Sequence, residues 1–192
     1  MTYSRKFAAA LALIAFVTFS FTEVEEVKKE INTDKSKVTW KGYKVTGSHY
    51  GTVDIKSGEL TFKGEELLGG YFVIDMTSIE SHDLEGEYKG KLEGHLKSDD
   101  FFGVEKFPTA KLVFTNVEAA GKNAYKITAD LTVKGKTESV TFDLSVYGSK
   151  ATANLKVDRS KFDVRYGSAT FFDDLKDKTI YDEFDLVTDL EF

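Results

Sequence analysis

Residues 125–147 read YKITADLTVKGKTESVTFDLSVY. Tyr125, Ile127, Ala129, Leu131 and Val133 alternate with Lys126, Thr128, Asp130 and Thr132; Val140, Phe142, Leu144 and Val146 alternate with Thr141, Asp143 and Ser145. Period two places every apolar side chain of an extended segment on one face and every polar one on the other. The two runs meet at Lys134-Gly135-Lys136, where Gly135 is free to take the positive φ of a tight turn. The stretch therefore predicts an antiparallel hairpin with one buried and one wetted face.

The same rhythm extends outward. Ala151, Ala153, Leu155 and Val157 follow the turn at Gly148-Ser149. Phe184, Leu186, Leu190 and Phe192 oppose Glu183, Asp185, Asp189 and Glu191. Earlier strands are predicted over 37–45, 51–55, 59–63, 70–79 and 109–117. A single proline in 192 residues leaves long strands uninterrupted. Runs of ten or more residues span about 35 Å, a length that suits a tilted, closed barrel better than a small sandwich. The expected class is all-β: an antiparallel barrel of about eight strands.

One segment breaks period two. Leu84, Tyr88, Leu92 and Leu96 recur every four residues, with Glu85/Lys89, Glu87/Lys91 and Glu93/Lys97 at ion-pair spacing. An amphipathic helix of about three turns is predicted. Gly86, Gly90 and Gly94 form a second strip, which we expect to lie close against the barrel. Phe101 and Phe102 are expected to anchor the helix exit.

At the N-terminus, Arg5 and Lys6 precede an apolar run from Phe7 to Phe21. The run is too short to cross a bilayer comfortably and reads as a secretory signal over residues 1–22, an uncleaved anchor being the alternative. Residues 23–30 are charged and are expected to be a solvated tether, leaving one domain over 31–192. Export predicts a periplasmic or secreted protein. There are no cysteines, so stability must come from core burial and sheet hydrogen bonds. Thiolate metal sites are excluded, and three histidines leave little for zinc. The net charge of −6 argues against nucleic acid as a partner.

Four stretches together resemble the YceI-like family. They are Ser36–Trp40; His95–Phe102 running into Glu105-Lys-Phe-Pro-Thr109; Ala129–Thr137 with Val140-Thr141; and Val157–Phe162 with Ile180–Phe192. The resemblance implies a lipocalin-like barrel that binds isoprenoid or similar lipids. The chain departs from the family at Phe162-Asp163, where many members have Phe-Gly, and at the long aromatic and acidic loop Arg165–Asp174.

Sixteen phenylalanines and nine tyrosines exceed what a minimal barrel core requires. Phe62, Tyr71, Val73, Phe114, Phe142 and Leu144 are the expected walls of a dry apolar cavity; the alternative is that they fill the barrel. His95, Lys134, Arg159 and Arg165 are candidate rim groups for a polar head. Asp173, Asp174 and Asp177, with Asp182 and Glu183 nearby, lack the spacing of a calcium loop. There is no G-x-S-x-G elbow, phosphate-binding glycine loop or H-E-x-x-H. The expected function is non-catalytic binding or transport of a polyisoprenoid, quinone-like or fatty-acyl lipid, with no cofactor and no metal. Transient membrane contact and a dimer are both compatible with this reading. The alternatives are an exported interaction module with a filled barrel, or a lipid-modifying enzyme.

Overall fold

The computed structural model describes residues 24–192, and the expected signal segment lies outside the described residues. Within that range the chain forms β1 (Glu26–Glu30), β2 (Lys37–Lys44), β3 (Gly47–Lys63), β4 (Glu66–Ser81), α1 (Gly86–Lys97), β5 (Thr109–Gly121), β6 (Ala124–Val133), β7 (Lys136–Tyr147), β8 (Lys150–Asp158) and β9 (Ile180–Glu191). The hairpin of residues 125–147 is β6 and β7, with Ile127 opposite Phe142 and Val133 opposite Lys136. Lys134 and Gly135 both have positive φ, 51° and 74°, as a two-residue type I′ turn requires.

Strands β2 to β9 form one antiparallel sheet in the order β3-β2-β9-β8-β7-β6-β5-β4, and β4 pairs back onto β3. The eight strands therefore close into a barrel and share one interior. The segments predicted separately over 51–55 and 59–63 are halves of one long strand, β3. Residues 23–30, expected to be a tether, include strand β1, which pairs with β3 along Glu59–Lys63. Beyond Val53 the pairing of β2 with β3 ends, and β1 takes up the backbone groups further along the same edge. Most of its side chains are exposed, which is why composition alone reads as a tether.

The pairing of β3 with β4 shifts register at three places. Such bulges bend a long strand around a barrel. Between Ile55 and Ser57 the shift also exchanges the two faces of β3: Val53 and Ile55 point inward before it, Leu60 and Phe62 after it. Gly51 lies in the tightest part of this pairing. A Cβ there would sit 1.8 Å from the carbonyl oxygen of Glu80 and 2.8 Å from the Trp40 ring.

Helix α1 lies between β4 and β5 in the chain and rests on β4. Leu96 is buried and Leu92 half-buried, while Lys89 bridges to Glu80 and Glu93. The expectation that the glycine strip faces the barrel is overturned. A Cβ at Gly86, Gly90 or Gly94 would meet nothing within 4 Å. The geometry explains this: two residues along a helix rotate by about 200°, so a strip two positions from the leucines points away from them. Tyr88, at the far edge of the leucine row, is 72% exposed.

The two ends of the barrel differ. The turns β3–β4, β5–β6 and β7–β8 form a lower end packed solid. Leu60 and Ile127 there are fully buried, Leu67 nearly so, and Phe62 stacks on Phe192 at 5.5 Å. The Lys29 ammonium covers both rings, 4.8 and 5.1 Å from their centroids. The upper end carries α1, the segment after it and the long β8–β9 connection, which begins with a 3-10 turn at Arg159–Phe162.

Two glycine substitutions test this packing in urea unfolding. Gly51→Ala should destabilise by about 2–3 kcal/mol, because backbone atoms must move to admit the methyl group. Gly90→Ala should stabilise by up to about 1 kcal/mol, since alanine favours the helix and the site is open. A destabilised Gly90→Ala variant would mean that the strip packs against the barrel.

Candidate functional site

Above the filled end the barrel is hollow. A cavity of about 190 Å³ runs from Leu144, Leu190 and Val38 up to Leu96, Phe101, Phe102 and Arg159. That exceeds the ~150 Å³ of an engineered apolar void that stays dry yet admits benzene. Its wall is supplied by every strand of the ring, mostly through alternate residues. Trp40, Phe72, Ile74, Met76, Phe114, Phe142, Leu155, Phe184 and Leu186 form much of it. Phe114 packs near Phe72 and Phe142, with centroids 5.9 and 6.0 Å apart. The Trp40 indole N–H donates to the Thr52 carbonyl at 3.2 Å, so it presents an apolar ring to the space.

Of the six expected wall residues, Phe114, Phe142 and Leu144 line the cavity. Phe62 points inward but belongs to the solid lower end, stacked on Phe192. Tyr71 and Val73 are corrections: they face outward, Tyr71 being 37% exposed, and the wall of β4 is Phe72, Ile74 and Met76. Residues 71–74 are apolar at every position, so alternation is silent there. The signal lay two residues on, because Asp75 and Thr77 share the parity of Tyr71 and Val73 and demand water.

The four expected rim groups have separate roles in the upper end. Arg159, expected at the rim, is a correction. Its side chain is 2% exposed and lies in the cavity wall. Nε donates to the Tyr181 carbonyl at 3.2 Å, Nη1 to Val164 at 2.8 Å and Nη2 to Ile180 at 3.0 Å. Asp182 stands 3.3 Å from Nη2. Burial pulls this guanidinium below its ordinary pKa, opposed by the nearby Asp182 and Asp158 carboxylates. Its remaining face meets the Phe101 ring at 5.3 Å. Arg159 is thus a clasp that fixes the β8–β9 connection over the cavity.

Lys134 does the same for the segment after α1. Its ammonium donates to the carbonyls of Asp99 at 3.1 Å and Phe101 at 2.7 Å. His95 is wedged against Tyr166 and Phe101, 4.3 and 5.7 Å between centroids, with its Nε2 buried and without a hydrogen-bond partner. Arg165 is exposed, paired with Asp163 and lying over Phe171. Lys134 and Arg165 border a shallow surface pocket with Asp100, Tyr166, Phe172 and Lys178. Phe101 and Phe102, read from sequence as anchors of the helix exit, form part of the cavity roof.

Acid–base groups gather elsewhere on the rim. His49 Nδ1 lies 2.7 Å from Asp83, which also accepts from the Tyr50 N–H and the Ser81 hydroxyl. Burial pushes the Asp83 carboxyl up, but these three hydrogen bonds outweigh it and hold the group below its usual range. The Ser81 hydroxyl donates to a carboxylate rather than to an imidazole, so no activated nucleophile results. Among the described residues no group of three or more side chains is placed to hold a metal ion.

The clasp can be tested by removing its charge. Arg159→Met should lose about 3–5 kcal/mol in urea unfolding, because three carbonyls and Asp182 lose their partner inside the protein. Lys134→Met, at a partly exposed site, should lose only about 1–2 kcal/mol. Equal losses would contradict this account.

The YceI-like domain family model matches residues 30–192. A UPF0312 protein of Pseudomonas putida (strain GB-1) is 29% identical over 149 residues, covering 75% of this chain and 74% of that one. A UPF0312 protein of Shewanella denitrificans is 32% identical over 93 residues, about half of each chain. Among solved structures, Burkholderia cenocepacia BcnA superposes with a TM-score of 0.65 at 24% identity, covering 83% of this chain and 98% of its own. A polyisoprenoid-binding domain from Saccharophagus degradans does so at 0.54 with 13% identity, covering 84% and 95%. These likenesses share one fold with this chain, the closed barrel of eight antiparallel strands with one helix. With the family model matched from the end of β1 to the last residue, the chain belongs to the YceI-like domain family.

Proposed function

We propose that this protein takes an apolar chain into its barrel and holds it without changing it chemically. The observation that carries the reading is the hollow itself: a closed barrel whose upper half encloses a cavity of about 190 Å³ walled by hydrocarbon. A protein stabilised only by its own core gains from filling such a space. Leaving it open is consistent with a guest. The polyisoprenoid-binding domain from Saccharophagus degradans shares this fold and supports a polyisoprenoid as the ligand, with quinone-like or fatty-acyl chains as the other members of the proposed class.

A holding role is favoured over conversion by the chemistry of the wall. Among the described residues Arg159 is the one charged group lining the cavity, and its donors are directed at backbone carbonyls. The His49–Asp83 pair is not among the lining residues. We further propose that the chain acts outside the cytoplasm, on the strength of Arg5, Lys6 and the apolar run to Phe21. Loading from a membrane surface, by transient contact, follows from the low solubility of such ligands in water.

Organic extraction of the purified protein followed by mass spectrometry should release one class of long-chain apolar molecule at near-stoichiometric yield. Phe142→Asp, which places a carboxylate in the cavity wall, should reduce that yield at least tenfold. A folded Phe142→Asp protein that still carries its lipid at the original yield would overturn the site. A wild-type protein that remains empty after incubation with lipid vesicles would overturn the function.

A further inference from the structure

We infer that the boundary between the hollow and filled halves of the barrel is a length gauge, with Leu60 as its floor. This rests on the reading that the cavity takes an apolar chain.

The boundary is stepped and built into the backbone. On β3, Val53 and Ile55 line the cavity, then the register shift after Ile55 turns the strand, and Leu60 and Phe62 are buried without touching the open space. On β5, Phe114 lines the cavity, a register shift follows between Phe114 and Asn116, and Val117 lies beyond it. The two bulges lie on the strands flanking β4 but at different points along it, the β3 bulge beside Val73 and Ile74 and the β5 bulge beyond the Tyr71–Val113 pair. Each moves the next inward side chain out of the row above, so on each strand the cavity lining ends where that strand changes face, and Phe72 and Phe114 carry the open space past the β3 bulge down to the level of Leu60.

Leu60 stands directly beneath the cavity wall. A Cβ built at Gly70 would lie 2.7 Å from Leu60 Cδ2 and 3.3 Å from Phe114 Cε2, so those side chains meet over the bare Gly70 backbone. Phe114 lines the cavity and Leu60 does not. Below Leu60 the stacked Phe62 and Phe192 rings, under the Lys29 ammonium, leave no further passage. A straight chain entering from the upper end therefore gains contact with every added methylene until its tip reaches Leu60. It must then fold back or leave carbons in the cap.

Side-chain size at this level sets the limit. Leu60→Ala removes three carbons from the floor. Ala153→Leu adds three to the wall, at a buried position between Leu144 and Thr188, both of which line the cavity. Uniform burial raises affinity about fourfold per methylene. A homologous series should rise at that slope and then level off, and the length at which it levels off is the measurement.

The experiment is displacement of the neutral fluorophore N-phenylnaphthylamine from the full-length mature protein by straight-chain alcohols of stepwise increasing length. We expect the plateau to move up to about three carbons longer in Leu60→Ala, and about three shorter in Ala153→Leu. Leu60→Val, which removes one carbon, is the milder variant should the alanine fail to fold, with an expected shift of about one carbon. Folded variants whose plateau stays at the wild-type length would overturn the gauge while leaving lipid holding intact. A wild-type protein that neither binds the fluorophore nor yields it to any alcohol would overturn lipid holding, and the gauge with it.

Discussion

A sheet that closes on itself has no free edge, so all eight strands must aim their inward side chains into one shared volume. That constraint governs the rest of the structure. Closure forces bends, bends are made by bulges, and bulges change which residues face inward. Whether the volume fills then depends on side-chain size and on how far each row is displaced. At the lower end Leu60, Phe62, Leu67, Ile127 and Phe192 meet and leave nothing open. Higher up, the wall is as apolar but its side chains leave a cavity of about 190 Å³ between them. Hollow and solid are two outcomes of one packing rule on one continuous sheet.

The outer face obeys the complementary half of that rule. Strand β9 sends Glu183, Asp185, Asp189 and Glu191 outward, and its neighbours answer with lysines: Lys37 opposite Asp189, Lys41 opposite Asp185, Lys150 opposite Glu191. Such exposed cross-strand neighbours contribute little stability each; it is the alternation of charged and apolar residues that sets the register of the strand. A slip of one residue would bring the carboxylates into the cavity and Phe184, Leu186 and Leu190 into water. The cavity wall is thus enforced partly by charges that never touch it.

These alternations made most of the fold legible in the sequence. Phe142 and Leu144 could be placed in the wall because polar residues separate them from each other and from Val140 and Val146. Tyr71 and Val73 were harder to place, since the run Tyr71–Ile74 offers no polar residue to set the phase and the signal comes only from Asp75 and Thr77 beyond it. Phe62 showed the right face but not its depth, because depth depends on a bulge that leaves no mark at Ile55-Lys56-Ser57. Strand β1 was hidden for another reason: it lies along an exposed edge, so its side chains stay polar while its backbone does the pairing. The role of Arg159 was equally invisible. A charged residue after a strand reads as a surface group, and only the fold reveals three carbonyls converging on it.

Arg159 and Lys134 divide the roof of the cavity between them, and the division bears on how a guest exchanges. Transfer of a hydrocarbon chain from a membrane to an apolar barrel changes its surroundings little, so the ~0.8 kcal/mol per methylene gained against water is largely absent from that comparison. On the proposed function, what would hold a guest against return is therefore the roof rather than the wall. The two clasps differ in strength. Arg159 is buried, charged and bonded to the carbonyls of Val164, Ile180 and Tyr181. Lys134 holds Asp99 and Phe101 from the tip of a two-residue turn, where water can replace either bond. The Phe101 ring lies between them, resting on the guanidinium while its own carbonyl is held by the ammonium. Loss of the Lys134 bonds leaves the Arg159 clasp whole, whereas loss of Arg159 removes the surface on which Phe101 rests. The roof is thus held by one buried clasp and one that water can reach, and the segment carrying Phe101 and Phe102 is tied to both.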